Sequence, residues 1–322
     1  MKQMTLNETA AWLRDHDDYL ILTHIRPDGD TIGSAAALCS ALRRCGKAAA
    51  LYVNPGITER YAAFAAPFLA AEGPSLATVV SVDIAGEGLF PEGFSGNVDL
   101  AIDHHPSNSG FAALTLLEAE RAACGETILE LIKLLCGEIT KEEADLLYIA
   151  ISTDTGCFQY ANVTEHTFLS AAELTRAGAD TAHLSSRLFR TFSKARLALE
   201  GYIYSTLRSY HDNAVNIAIV TREMMERSGA GEDEMDDIAS LAGRVAGHQV
   251  SVTIKETEDG ASKVSVRSNE FVNASDICAH FGGGGHARAA GCAIDCPPEE
   301  AAAKLLPLIE AALGYSCDDS HE

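Results

Sequence analysis

Short apolar runs alternate with helical patterns through the first half of the chain, and that alternation restricts the fold more than any other feature. Residues 19–24 (YLILTH), 48–53, 78–85 and 98–103 read as buried strands. An Ala-rich helix is expected over 33–45, with further helices over 123–136, 141–152 and 165–177. Short buried strands alternating with helices predict a largely parallel sheet with helices on its faces. The expected fold class is therefore α/β. Ligands in such sheets gather beyond the carboxyl ends of the strands, so acidic and histidine residues placed there carry the most information.

A chain of 322 residues suits two domains better than one small core. The segment 181–211 is helical and amphipathic without a strand signal, and 186–212 is expected to be a helical connector between a first domain, 1–185, and a second, 213–315. The second domain reads as a smaller α/β unit. It opens with a strand over 214–221 and a helical stretch over 236–246. Strands over 249–257 and 263–268 then pair around the Glu258-Asp259-Gly260 turn, and a Gly-rich segment and a last helix over 298–313 follow. The polar tail 316–322 is expected to fray.

Charge narrows the partners. A net charge of −22 repels long polyanions, which disfavours duplex DNA binding by a basic face. An anionic substrate must instead be held by local positive charge, from bound metal ions and a few placed Arg, Lys and His groups. No apolar run approaches the roughly 18 residues of a membrane helix, and the first residues lack the basic-then-apolar pattern of a secretory signal. A cytoplasmic protein without membrane partners is the expectation. Nine cysteines, none in a Cys-x-x-Cys pair, signal neither a zinc ribbon nor a thioredoxin-type motif and read as reduced thiols.

Four clusters stand at strand ends or on helices beside them: His24-Ile25-Arg26-Pro27-Asp28-Gly29-Asp30, then Asp83, then Asp103-His104-His105, then Asp154 in Ser152-Thr153-Asp154-Thr155-Gly156. Singly, each is also an ordinary turn, cap or surface pair. Together at the mouth of one sheet they supply carboxylate oxygens and imidazole nitrogens for two divalent cations, manganese or magnesium rather than a thiolate-bound metal. Two such ions about 3.5–4 Å apart share a bridging carboxylate and absorb charge that builds on a phosphoryl group. In the second domain Phe281-Gly282-Gly283-Gly284-Gly285-His286, Arg288 and the Arg267-Ser268 strand end are candidate anion-binding residues, the glycines allowing close backbone approach.

Asp103-His104-His105, preceded by His24-x-x-x-Asp28-x-Asp30 and Asp83, resembles the DHH phosphoesterase superfamily, and the Gly-Gly-Gly-His segment resembles its common C-terminal domain. The resemblance spans about residues 5–313. It is greatest to the NrnA-like branch, which degrades short oligoribonucleotides and removes the 3′-phosphate of adenosine 3′,5′-bisphosphate (pAp). The resemblance implies one metal on His24, Asp28 and Asp83 and a second on Asp30, Asp83, His104 and Asp154, with Asp83 bridging. It implies catalytic roles for Asp83, His104 and His105, with His105 toward substrate phosphate. Arg267, Ser268, Gly283, Gly284, Gly285 and His286 would grip the far end of the nucleotide; Arg288 extends that set. Manganese is the implied ion, magnesium the alternative, and a homodimer the implied assembly.

Two positions depart from the pattern: Ile84-Ala85 follows Asp83 where relatives often carry a hydroxyl, and Thr31-Ile32 stands where alanine is more usual. Other readings share the metal motifs. One is a phosphodiesterase for the linear dinucleotide pApA; others are a pyrophosphatase or exopolyphosphatase, a single-strand DNA exonuclease of the RecJ type, and a catalytically dead nucleotide-binding regulator.

Overall fold

The computed structural model describes residues 2–70, 78–235, 237–269 and 271–315. The expectation of a frayed tail at 316–322 lies outside the described residues. The chain divides into two compact units, Met1–Thr191 and Phe192–Glu322.

In the first unit β1 (Lys2–Gln3), β2 (Tyr19–Leu22), β3 (Ala49–Leu51), β4 (Thr78–Val82), β5 (Leu100–Asp103) and β6 (Leu114–Leu117) form one sheet. Its order is β1-β6-β5-β4-β2-β3, and every neighbouring pair is parallel. The helices are α1 (Leu6–Asp15), α2 (Gly29–Arg44), α3 (Glu59–Ala65), α4 (Cys124–Cys136), α5 (Lys141–Asp154), α6 (Glu165–Arg176) and α7 (Thr181–Phe189). The buried strands bear out the parallel α/β expectation: Ile21, Val80, Val82, Leu100 and Ile102 are buried in one core with Ile32, Leu38, Ile128 and Leu147 from the helices. The short edge strand β1 and its neighbour β6 were not anticipated. Two to four residues are too few to show an alternation.

Helix α2 begins four residues before the expected start because Asp28 caps it. The Asp28 side chain accepts hydrogen bonds from the Asp30 and Thr31 amides, satisfying two of the orphan donors of the first turn. Asp30 therefore lies on the helix rather than in the preceding loop. Packing of α2 on α5 is close because of two glycines. A Cβ on Gly29 would stand 2.3 Å from Thr153 Oγ1, and one on Gly33 would stand 2.3 Å from the Leu146 carbonyl oxygen. This approach sets the C-terminal end of α5, with Asp154, beside the first turn of α2.

The second unit has β7 (Arg208–Tyr210), β8 (Val215–Val220), β9 (Val250–Glu256), β10 (Ser262–Ser268), β11 (Gly284–His286) and β12 (Ala289–Ile294) in the order β11-β12-β10-β9-β8-β7. Only β8 and β9 pair parallel; the others are antiparallel. The expected hairpin is present, with Ser262 opposite Glu256 and Gly260 at φ +81°. The helices are α8 (Lys194–Ser205), α9 (Arg222–Ser228), α10 (Ala274–Ala279) and α11 (Pro298–Leu313), with a 3-10 turn at Ile238–Arg244 in the stretch read as helical.

The division between units falls inside the expected connector 186–212. Leu184 and Leu188 of α7 are buried in the first core, whereas Leu199 and Ile203 of α8 pack on Ala218 and Val220 of the second. Arg208–Tyr210, within the stretch read as helical, is strand β7, an edge strand held by pairing with β8 rather than by any pattern of its own.

Candidate metal centre

The strand ends of the first unit place five of the side chains. β2 ends just before His24, β4 just before Asp83, and β5 runs into Asp103-His104-His105. Asp28 and Asp30 come from the capped start of α2, and Asp154 closes α5. Asp83 sits at φ +62°, the left-handed region that Asp tolerates better than most residues, and this turns its carboxylate off the strand line.

Three overlapping groups result: His24, Asp28 and Asp83; Asp30, His104 and Asp154; and Asp83, His104 and His105. His24 Nε2 lies 3.5 Å from Asp28 Oδ1 and 3.9 Å from Asp83 Oδ2. His104 Nε2 lies 3.4 Å from Asp83 Oδ1 and 3.7 Å from both Asp30 Oδ2 and Asp154 Oδ2. Asp83 thus belongs to two of the groups and faces the third. Its Oδ1 is buried without a hydrogen-bond partner, an arrangement that is costly unless a cation supplies what the protein does not.

Hydrogen bonds aim the surrounding groups. His104 Nδ1 stands 3.1 Å from the Arg121 carbonyl oxygen, which makes Nδ1 the donor and turns Nε2 toward the carboxylates. His105 Nδ1 donates to Asp103 Oδ1 at 2.7 Å, which leaves Nε2 as the other ring nitrogen to bind a partner. Asp103 also accepts from the His104 and His105 amides and from Asn108 Nδ2, so it braces the loop. Asp30 accepts from the Cys124 amide at 2.6 Å, the Gly125 amide at 3.0 Å and Ser34 Oγ at 2.9 Å.

Packing so many carboxylates together shifts their titration. Burial, then the charge of Asp30, pushes Asp83 well above the usual carboxylate range. Burial and Asp30 likewise raise Asp154 to about 7. Burial pulls His104 down, but its contact with the Asp83 carboxylate and the charges of Asp30, Asp83 and Asp154 outweigh it and raise the imidazole to about 11. Oxygen and imidazole donors around an unpartnered buried carboxylate fit hard or borderline divalent cations. Such ions would relieve the repulsion that produces these shifts.

In the second unit Arg267 on β10 is opposite Ala289 on β12, which is opposite His286 on β11. Directly opposed residues share a face of the sheet, so Arg267 and His286 lie on the same face, away from the buried Val264 and Val266. Other residues of the expected anion site also make bonds within the unit. Ser268 donates its hydroxyl to the Val272 and Ala287 carbonyls, and Arg288 donates to the carbonyls of Asn269 and Val272, fastening that loop. The Gly282 and Gly283 amides donate to Ala279 and Cys278 at the end of α10. Gly283 and Gly285 serve close packing: Cβ atoms there would meet the Gly291 carbonyl oxygen at 2.3 Å and the Ala289 carbonyl oxygen at 2.6 Å.

Residues 18–151 match the DHH family, N-terminal domain, and residues 202–314 match the DHHA1 domain. The chain is 38% identical over 281 residues to the bifunctional oligoribonuclease and PAP phosphatase NrnA of Thermus thermophilus, covering 85% of this chain and 83% of the relative. The chain belongs to the DHH phosphoesterase superfamily. The NrnA of Bacillus subtilis, described in the same words, is 26% identical over 87% of this chain and 90% of its own. The crystal structure of an exopolyphosphatase-related protein from Bacteroides fragilis shares the fold, with a TM-score of 0.80 at 24% identity over 96% of this chain and 95% of that one.

As a DHH phosphoesterase the chain carries its signature Asp103-His104-His105 at the end of β5, and the three residues part company there. His104 enters the carboxylate cluster, His105 stands beside it, and Asp103 points away into the loop it braces. Sequence reading missed the Arg121 carbonyl, the Cys124 and Gly125 amides, and Asn108. Only Asn108 had a side-chain signal, five residues after Asp103 in a turn; backbone groups have none. Among the described residues no helix is long and apolar enough to cross a membrane.

Proposed function

We propose that this phosphoesterase hydrolyses short oligoribonucleotides, linear dinucleotides among them, and the 3′-phosphate of pAp, acting in the cytoplasm with two divalent cations, manganese by preference. The observation that carries the reading is the buried, unpartnered Asp83 Oδ1 between two ligand groups. His24, Asp28 and Asp83 would hold one ion; Asp30, Asp83, His104 and Asp154 would hold the other. When bound, the pair lowers the pKa of water to the neutral range and offsets charge on the phosphoryl oxygens.

The remaining steps belong to the chain's own side chains. His105, locked through Nδ1 by Asp103, presents Nε2 to a non-bridging phosphate oxygen and neutralises charge that grows as the bond to the leaving oxygen lengthens. The Cys124 and Gly125 amides keep the Asp30 carboxylate from rotating toward solvent. Arg267 and His286, on one face of the second sheet, are cationic side chains of the kind that hold an anionic group of a nucleotide. An acidic surface with few such cationic points favours short substrates over long polyanions.

The test is product analysis on pApA, a five-nucleotide RNA, pAp and pyrophosphate in parallel, with manganese and with chelator. Mononucleotides from the first two, AMP from pAp, intact pyrophosphate and no turnover in chelator are expected. Turnover of pyrophosphate alone, or nucleotide binding without any product, would overturn the reading.

A further inference from the structure

The helix pair that supports the Asp30 side of the cluster carries two thiols at its other end. Cys45 caps the C-terminus of α2 and Cys136 is the last residue of α4, 91 residues later. Their Sγ atoms lie 2.7 Å apart. Contacts of the same sulfurs with backbone carbonyls are ordinary, 3.9 Å from Cys45 to Leu135 and 3.6 Å from Cys136 to Ala41. The backbone therefore brings these two sulfurs to within about 0.7 Å of the bonded separation. The buried cysteines, Cys39, Cys124, Cys278, Cys292 and Cys296, are shielded from reagents, whereas Cys45 is exposed and Cys136 half-buried beside it.

We infer that Cys45 and Cys136 are a redox modification site, closing to a reversible disulfide when a low-molecular-weight disulfide such as glutathione disulfide is the oxidant. The exposed Cys45 attacks first: its thiolate displaces one glutathione thiolate and leaves a mixed disulfide. Cys136 then gives its proton to solvent, attacks Cys45 Sγ and displaces the second glutathione. Two protein thiols have lost two protons and two electrons, and the oxidant leaves as two molecules of reduced glutathione.

The surroundings favour this order. Burial, then the hydrogen bond and charge of Cys45, push the Cys136 thiol up to about 12, while the Arg44 guanidinium pulls it down. Burial and Glu143 still raise the Cys136 thiol once Cys45 is in a mixed disulfide, but the opposition of Cys45 is gone and the Arg44 guanidinium continues to favour the thiolate. Reducing conditions keep the pair as thiols.

The consequence is mechanical. At the active-site end α2 and α4 meet through the Asp30 carboxylate and the Cys124 and Gly125 amides. The disulfide ties the opposite ends of the same two helices. Closing a loop of this length restricts the unfolded chain strongly, so the oxidised protein is expected to melt about 5–10 °C higher than the reduced one.

The full chain is incubated with excess glutathione disulfide, alkylated, digested and mapped by mass spectrometry, with melting followed in parallel. A peptide cross-linked through Cys45 and Cys136, a raised Tm and reversal of both by dithiothreitol are expected. Cys45→Ser, at an exposed position that tolerates serine, loses cross-link and Tm shift together. Cys136→Ser instead stops at glutathionylated Cys45. Wild-type protein in which both thiols stay open to alkylation, or in which Cys45 keeps its glutathione, overturns the inference, as does a Tm that does not move with the cross-link in place.

Discussion

His105 donates from Nδ1 to Asp103 Oδ1 at 2.7 Å, and Asp103, fully buried, belongs to none of the three potential metal groups. The first residue of the signature therefore acts on the third rather than on a cation. Asp103→Asn removes the charge that fixes the ring and is expected to lower kcat on pApA about 10- to 100-fold. Manganese affinity by calorimetry should stay within a few-fold of wild type. A loss of metal binding in place of turnover would show that Asp103 is a ligand.

Asp83 is placed at a cost to stability. Its carboxylate is buried, lacks a partner at Oδ1 and is repelled by Asp30. Asp83→Asn keeps the left-handed backbone, which asparagine also tolerates. The expected result is a loss of at least about 100-fold in turnover together with a Tm in chelator a few degrees above wild type. Asp83→Ala tests the catalytic half alone, and more than a few per cent residual activity in manganese would contradict the bridging role.

The metal-free protein should grow less stable as pH rises. Asp154 is raised from an ordinary 3.8 to about 7, so the folded state holds a proton there that the unfolded chain has released. His104 is raised from 6.5 to about 11 and continues the same trend at higher pH. In both cases the folded state binds more protons, so stability falls with rising pH from about 4 through neutrality and beyond. Melting in chelator at pH 5, 6, 7 and 8 should give a descending series. Manganese should reverse the trend, since its ligands bind it only when deprotonated.

Gly33 allows α2 to lie on α5. Gly33→Ala forces a Cβ to within 2.3 Å of the Leu146 carbonyl oxygen, and backbone cannot step aside as a side chain can. Destabilisation of about 1–3 kcal/mol is expected from urea unfolding. Gly201→Ala, on an exposed helical position of α8 with nothing within 4 Å, provides the opposite control and should stabilise its unit by about 0.5–1 kcal/mol.

Much of the catalytic unit was legible because parallel α/β folds tie chemistry to strand ends. Residues 19–24, 78–85 and 98–103 read as strands, and the acids and histidines at or just past their ends are the ones the structure gathers: His24, Asp28, Asp30, Asp83, His104 and His105, joined by Asp154 from the end of a helix. The second unit was less legible. Its glycine run reads as an anion cradle, but the sequence shows neither the bonds of the Gly282 and Gly283 amides to α10 nor those of Ser268 and Arg288 to carbonyls of their own loop. Side-chain type announces a capacity to bind phosphate; only the fold shows what else each group holds.

The amino-acid order determined the parallel sheet, the hairpin around Gly260 and the residue types available for two hard cations, because period, turn chemistry and donor atoms are local properties. Tertiary structure decided the rest. It set the Cys124 and Gly125 amides on Asp30 across 94 and 95 positions, left Asp83 Oδ1 without a partner, and brought Cys45 against Cys136. Each of these depends on how closely two helices approach. That distance is fixed by glycines and packed cores, and no single segment of the chain contains it.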